Sequence, residues 1–127
     1  MRNFLILLLL SAASPCAMAH WIEVGRSDQA KVYVDRGTIK REGKLVRMTD
    51  LYDYHDTQEI NELKFRSSRN RHEYNCSNRS RRLLGFRWFS KNMGKGDVVL
   101  RDASRRDWDP NVPVHFGEKL LEIACDQ

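Results

Sequence analysis

Proline, cysteine and long apolar runs are all scarce in this sequence. Its 127 residues include 3 prolines and 3 cysteines. Pro110 and Pro113 follow Trp108 closely, so residues 105–113 form a loop that cannot lie inside a helix. No CxxC pair and no close His–Cys spacing occurs, which removes the common zinc-ligand patterns. Gly94-Lys95-Gly96 is no phosphate loop, because the GxxxxGK[ST] pattern is missing. Asp107-Trp108-Asp109 lacks the glycine and terminal glutamate of a calcium loop. A copper site at a His20 amino terminus, or a nuclease built on two histidines, would need a placed partner. His55, His72 and His115 show no such pairing. The reading is therefore a non-enzymatic chain with no catalytic residue, no cofactor and no metal site. No internal repeat or low-complexity tract is present.

The one unbroken apolar run, residues 4–10, is too short to cross about 30 Å of hydrocarbon. It follows Arg2 and precedes Ala17-Met18-Ala19, so residues 1–19 read as a signal peptide cleaved before His20. Lipidation at Cys16 is disfavoured, because Pro15 stands where a lipobox needs a small residue. Residues 20–127 then form one domain, exported to the periplasm, the outer membrane or the medium, with no transmembrane segment. Cleavage leaves two cysteines, Cys76 and Cys125, and in an exported chain such a pair is expected as one disulfide.

Charge is unevenly spread. The whole chain carries +5, yet residues 64–87 hold Lys64, Arg66, Arg69, Arg71, Arg79, Arg81, Arg82 and Arg87 against Glu73 alone. A positive patch on an otherwise mildly acidic body fits an acidic partner, although arginines on a strand also keep an exposed edge soluble.

Residues 21–24 and 30–34 read as strands, and Asp35-Arg36-Gly37 as a turn, where Gly37 can take the positive φ that a tight reversal often needs. Residues 38–40 continue extended, and Glu42-Gly43 marks the next turn. Residues 45–54 form the longest strand, with Val46, Met48, Tyr52 and Tyr54 at one parity. Asp50 shares that parity and Leu51 opposes it, which predicts a bulge or a strand covered on both faces. Residues 55–63 are polar and read as loop. Residues 69–76 and the run to Trp88 form a hairpin; a three-residue loop, Ser77-Asn78-Arg79, sets Cys76 opposite Ser80. That register gathers Arg69, Arg71, Arg81 and Arg87 around Glu73 on one face and leaves Tyr74, Phe86 and Trp88 on the other. A base-stacking platform needs both sets together, so no nucleic-acid partner is expected. Residues 98–101 form a further strand, and Phe116–Cys125 a helix with Phe116, Leu120, Ile123 and Ala124 on one side.

Ordered pieces of the chain resemble the surface-adhesin protein E family of Gram-negative bacteria. They are Tyr33-Val34-Asp35 with Thr38-Ile39, Leu51-Tyr52-Asp53-Tyr54, and Glu73-Tyr74-Asn75-Cys76 followed by Arg79, Arg81 and Arg82. Asn92-Met93-Gly94-Lys95-Gly96 and Leu120-Leu121-Glu122-Ile123-Ala124-Cys125 complete the set. The resemblance implies an α+β fold: an antiparallel sheet of about six strands, with a C-terminal helix held on its concave face by a Cys76–Cys125 disulfide. It also implies an adhesin-like role toward host matrix and serum proteins.

The combined expectation is an exported binding protein that meets an acidic protein, glycan or envelope surface. Lys64, Arg66, Arg69, Arg71, Arg81 and Arg87 are its candidate contact residues. The alternative is a structural or assembly component of the envelope, and self-association as a homodimer fits either.

Overall fold

The computed structural model describes residues 20–126, so the leader and Cys16 lie outside the described residues. Six antiparallel strands form one sheet in chain order: β1 (Trp21–Arg26), β2 (Ala30–Glu42), β3 (Leu45–Ile60), β4 (Leu63–Asn75), β5 (Ser80–Phe89) and β6 (Val98–Asp102). A 3-10 turn, Asn92–Gly94, joins the last two strands, and the chain closes with helix α1 (Phe116–Cys125). Among the described residues no helix is long and apolar enough to cross a membrane.

Helix α1 buries Gly117, Leu120, Leu121 and Ala124, a spacing of three and four residues that makes one continuous stripe. This stripe packs on Val32, Val34, Val46, Met48 and Tyr74, each at most 1% exposed. A helix of ten residues is marginal alone, so its stability comes from that contact and from the disulfide. Cys76 and Cys125 are bonded, with Cα atoms 5.5 Å apart. Fold class, disulfide and helix span agree with the sequence reading.

The other face of the sheet carries a smaller core. Leu51 and Phe89 are buried near Gly94 of the 3-10 turn. Ser67 Oγ donates to the Lys91 carbonyl at 2.6 Å and accepts from Gly94 N–H at 2.9 Å. Asp53 Oδ1 accepts from Asn92 Nδ2 at 2.9 Å and Met93 N–H at 2.8 Å. Asp50 and Leu51 are both fully buried, so the middle of β3 is covered on both faces, the second of the two predicted outcomes.

Four expectations need correction. The chain does not reverse at Gly37, which has no positive φ; β2 runs through it with an irregular register between Asp35 and Lys40. Residues 55–60 are strand, and β3 and β4 meet at a tight turn where Asn61 and Glu62 both have positive φ (49° and 67°). The β4–β5 loop has four residues, since Asn75 pairs with Ser80. A bulge then follows at Leu84, because Arg71 pairs with Gly85 but His72 with Leu83.

Candidate functional site

The bulge at Leu84 decides which arginines share a face. Beyond it the expected register holds, and Arg69 lies opposite Arg87. Between the bulge and the loop the register moves by one residue, which turns every side chain over. Arg82 therefore sits beside Glu73, and Arg81 beside Tyr74 on the helix-bearing face. The expected placement of Arg81 with Arg69, Arg71 and Arg87 is thus corrected. Arg81 lines a cleft with Tyr52, Phe116 and Pro113 instead, and its buried Nη1 faces the buried Tyr74 hydroxyl.

Glu73 is 2% exposed and accepts from Arg47 Nε at 2.9 Å and Arg82 Nε at 2.8 Å. The Arg82 guanidinium also lies 4.3 Å from the centre of the Trp108 ring, so the proline-flanked loop caps this pair. Burial opposes the charged form of Glu73, but the hydrogen bonds and charges of Arg47 and Arg82 outweigh it and lower the pKa. A lowered folded pKa means that the pairing stabilises the fold above about pH 4.5 and fades as pH falls below it. Glu73→Gln is expected to cost about 1.5–3 kcal/mol at neutral pH, the range for hydrogen bonds to a charged group. Urea titrations at pH 7 and pH 3.5 check this: the deficit of the variant should be smaller at the lower pH. An equal deficit at both would show that the charge of Glu73 contributes nothing.

Glu73 is thus spoken for, and the arginines farther along the same face are not. Arg69 on β4 lies opposite Arg87 on β5, and Arg87 lies opposite Arg101 on β6. Three guanidinium side chains therefore start from neighbouring positions on three successive strands. Arg71, two residues before Glu73, extends the patch toward Thr49. Among the described residues none of these four arginines has an ion-pair partner. Burial first, then the charges of Arg87 and Arg101, lower the pKa of Arg69. Its guanidinium also lies 5.5 Å from the centre of the Phe89 ring.

The four arginines border a groove of about 290 Å³ together with Trp21, Asp35, Gly85 and Asp102. Gly85 is required there: a Cβ would stand 2.7 Å from the Asp102 carbonyl oxygen. Bare backbone at that position lets the Asp102–Ala103 backbone pack closely against β5.

Lys64 and Arg66 do not join this cluster. Lys64 is exposed and opposite Glu59 near the β3–β4 turn, and Arg66 Nη2 donates to the His55 carbonyl at 2.7 Å. The structure brings together Arg69, Arg71 and Arg87 and adds Arg101, which the sequence reading passed over. The available signal was the register of β6, whose strand was expected but whose neighbour was not assigned.

A second polar cluster also escaped the reading. Asp50, fully buried, accepts from Asn70 Nδ2 at 2.9 Å and lies 2.7 Å from His72 Nδ1. Ser68 Oγ donates to Asn70 Oδ1 at 2.8 Å and continues the chain. This row sits on the helix-bearing side, beside Met48 and Tyr74, and is a structural network.

Comparison with known proteins fits this architecture. Solved structures of Haemophilus influenzae protein E are similar in fold. One crystal form has 16% identity and a TM-score of 0.59, covering 83% of this chain and 96% of that one. The selenomethionine form has 14% identity and a TM-score of 0.59, covering 84% and 92%. Protein E from non-typeable Haemophilus influenzae has 15% identity and a TM-score of 0.56, covering 86% of each. Among curated proteins, none matches the chain. Residues 21–126 match the family described as surface-adhesin protein E. Because that match takes in almost every described residue, the chain belongs to the surface-adhesin protein E family.

Proposed function

We propose that this is a non-enzymatic, exported, adhesin-like protein that engages an acidic partner through the arginine face of its sheet. The observation that carries the reading is the row Arg69, Arg87 and Arg101, flanked by Arg71, with no ion-pair partner among the described residues. Like charges set directly opposite one another across strands weaken a sheet. Such an arrangement gains its compensation when an anion arrives. Family membership supports an exported setting, and the groove is the surface assigned to the contact in this reading. Host matrix proteins, acidic glycans and the envelope surface all offer the needed charge.

The test is capture from envelope and host-matrix extracts by the mature protein, beside an Arg69→Glu/Arg71→Glu/Arg87→Glu variant. Lys64→Glu serves as a control, since Lys64 lies outside the groove. The triple variant should lose at least about tenfold in affinity for the captured partner, as expected when one or more charge-assisted contacts are removed. Binding to the native protein should weaken steeply between low and physiological salt. Equal capture by both proteins, insensitive to salt, would place the contact elsewhere.

A second reading, an envelope assembly component, draws on one feature. Tyr54, Phe65, Trp88 and Phe86 form a chain of ring contacts beside the helix, with Phe65 and Trp88 stacked at 4.1 Å. Tyr54, Phe86 and Trp88 are half-exposed there. Salt-insensitive capture that is lost on Trp88→Ala would favour this reading over the arginine face.

A further inference from the structure

We infer that the arginine groove takes a tetrahedral oxyanion, the sulfate or phosphate ester of a saccharide, in preference to a carboxylate. This rests on the reading that the arginine face meets an acidic partner, and it names the chemical group that the face selects.

The first argument is geometric. Adjacent strands lie about 4.8 Å apart, so the directly opposed Arg69, Arg87 and Arg101 span roughly 10 Å across the sheet. Each guanidinium is a planar fork of donors. A carboxylate has two oxygens in one plane and suits one fork, as in a bidentate pair. The oxygens of a tetrahedral ester point along separate directions, so one group can accept from forks on neighbouring strands at once. All four cations are arginine and none is lysine, which suits fork geometry and not a simple point charge.

The second argument concerns the carboxylates already present. Asp35 and Asp102 both line the groove, yet neither is paired with the row. Asp35 Oδ1 accepts from Gly37 N–H at 3.0 Å. Asp102 accepts from Arg106 Nη2 at 3.0 Å and Ser104 N–H at 2.7 Å. The built-in acids are turned to neighbours in their own stretches of chain, and the row is left for an external anion.

The third argument is the shape of the groove. At about 290 Å³ it stands at the lower end of small-ligand sites, enough for one sugar ring and its ester group. Trp21 forms part of the lining, and an indole gives the flat apolar face on which a ring can rest.

The experiment titrates native protein and two variants, Arg87→Gln and Arg101→Gln, with three oligosaccharides of matched length. One is a sulfated glycosaminoglycan, one a phosphorylated mannan and one a polygalacturonate carrying carboxylates alone. Inorganic sulfate and phosphate, against chloride at equal ionic strength, are read by thermal unfolding. At least one esterified oligosaccharide should bind native protein about tenfold or more tightly than the polygalacturonate, and the better of the two identifies the source of the ester. Either variant should lose on the order of tenfold of that affinity. Arg87→Gln should melt at or above the native temperature without ligand, because it removes the central charge of a repelling row. Sulfate or phosphate should raise the melting temperature of native protein more than that of Arg87→Gln.

Equal binding of polygalacturonate, lost in the same variants, would overturn the oxyanion assignment and leave the acidic-partner reading standing. Ester binding unchanged in both variants would overturn the site. Binding of none of the three, with protein capture still dependent on Arg69, Arg71 and Arg87, would overturn the inference alone.

Discussion

Replacing Cys76 and Cys125 together by serine is expected to lower the melting temperature by roughly 20 °C. The bridge joins positions 49 residues apart. On the chain-entropy account, closing a loop of that size restricts the unfolded chain by about 4 kcal/mol. For a domain of about 100 residues each kcal/mol corresponds to roughly 4–8 °C, and about 5 °C per kcal/mol gives this shift. The location of the bridge adds a local effect. It fixes the C-terminal end of α1, whose ten residues would fray if released. Calorimetry of native and double-serine proteins, with far-ultraviolet circular dichroism to follow the helix, measures both. A shift under about 5 °C would mean that the apolar stripe of α1 holds the helix unaided. Reduction of the native protein should reproduce the shift without any substitution.

The second large effect is expected at Asp50. Asp50→Ala should destabilise the fold by about 3–5 kcal/mol, because it removes one member of a buried polar set and leaves its partners in place. Asn70 Nδ2 and His72 Nδ1 both contact its carboxylate. His72 is 8% exposed, so water cannot replace what is lost. Burial raises the pKa of Tyr52, Tyr54 and Tyr74, and the charge of Asp50 adds to that effect. Removing the charge should therefore let the Tyr54 hydroxyl ionise at lower pH, which ultraviolet titration of the folded variant detects. The triple change Asp50→Leu/Asn70→Leu/His72→Leu is the informative companion. If replacing all three restores most of the stability, the network serves to specify the packing rather than to strengthen it. A loss under about 1 kcal/mol for Asp50→Ala would show that Asn70 and His72 find other partners.

Much of the fold was legible because its signals are local. Phe116–Cys125 was read residue for residue, since an apolar stripe and a cysteine define both ends. The strands with one buried face announced themselves by alternation. The second half of β3 did not: residues 55–60 are mostly exposed, so no apolar parity marks them. Their turn uses Asn61 and Glu62 in the left-handed region, a weaker signal than Asn-Gly. Gly37 looked like a reversal and proved to be an irregularity within β2.

The arginine site was legible only as far as register was. Arg69, Arg71 and Arg87 fell on one face in sequence and structure alike, because their stretch of the hairpin lies beyond the bulge. Arg81 and Arg82 exchanged roles because one extra residue, Leu84, is accommodated between them and that stretch. Parity alone cannot locate a bulge, whose cause lies in how both strands pack. Arg101 belongs to the groove through the β5–β6 pairing, a contact between chain segments that no single stretch contains. Asp50 was noticed as a break in an apolar series. Its reason, a histidine and an asparagine on the next strand, needed the pairing of β3 with β4.

The strand order follows the chain from β1 to β6 without a crossover. Each strand thus finds its partner in the adjoining segment, and the sheet can grow in chain order. The arginine row is completed only when β6 docks, and Cys76 meets Cys125 later still. The disulfide ties the last element to the sheet, so closing it marks the completed fold.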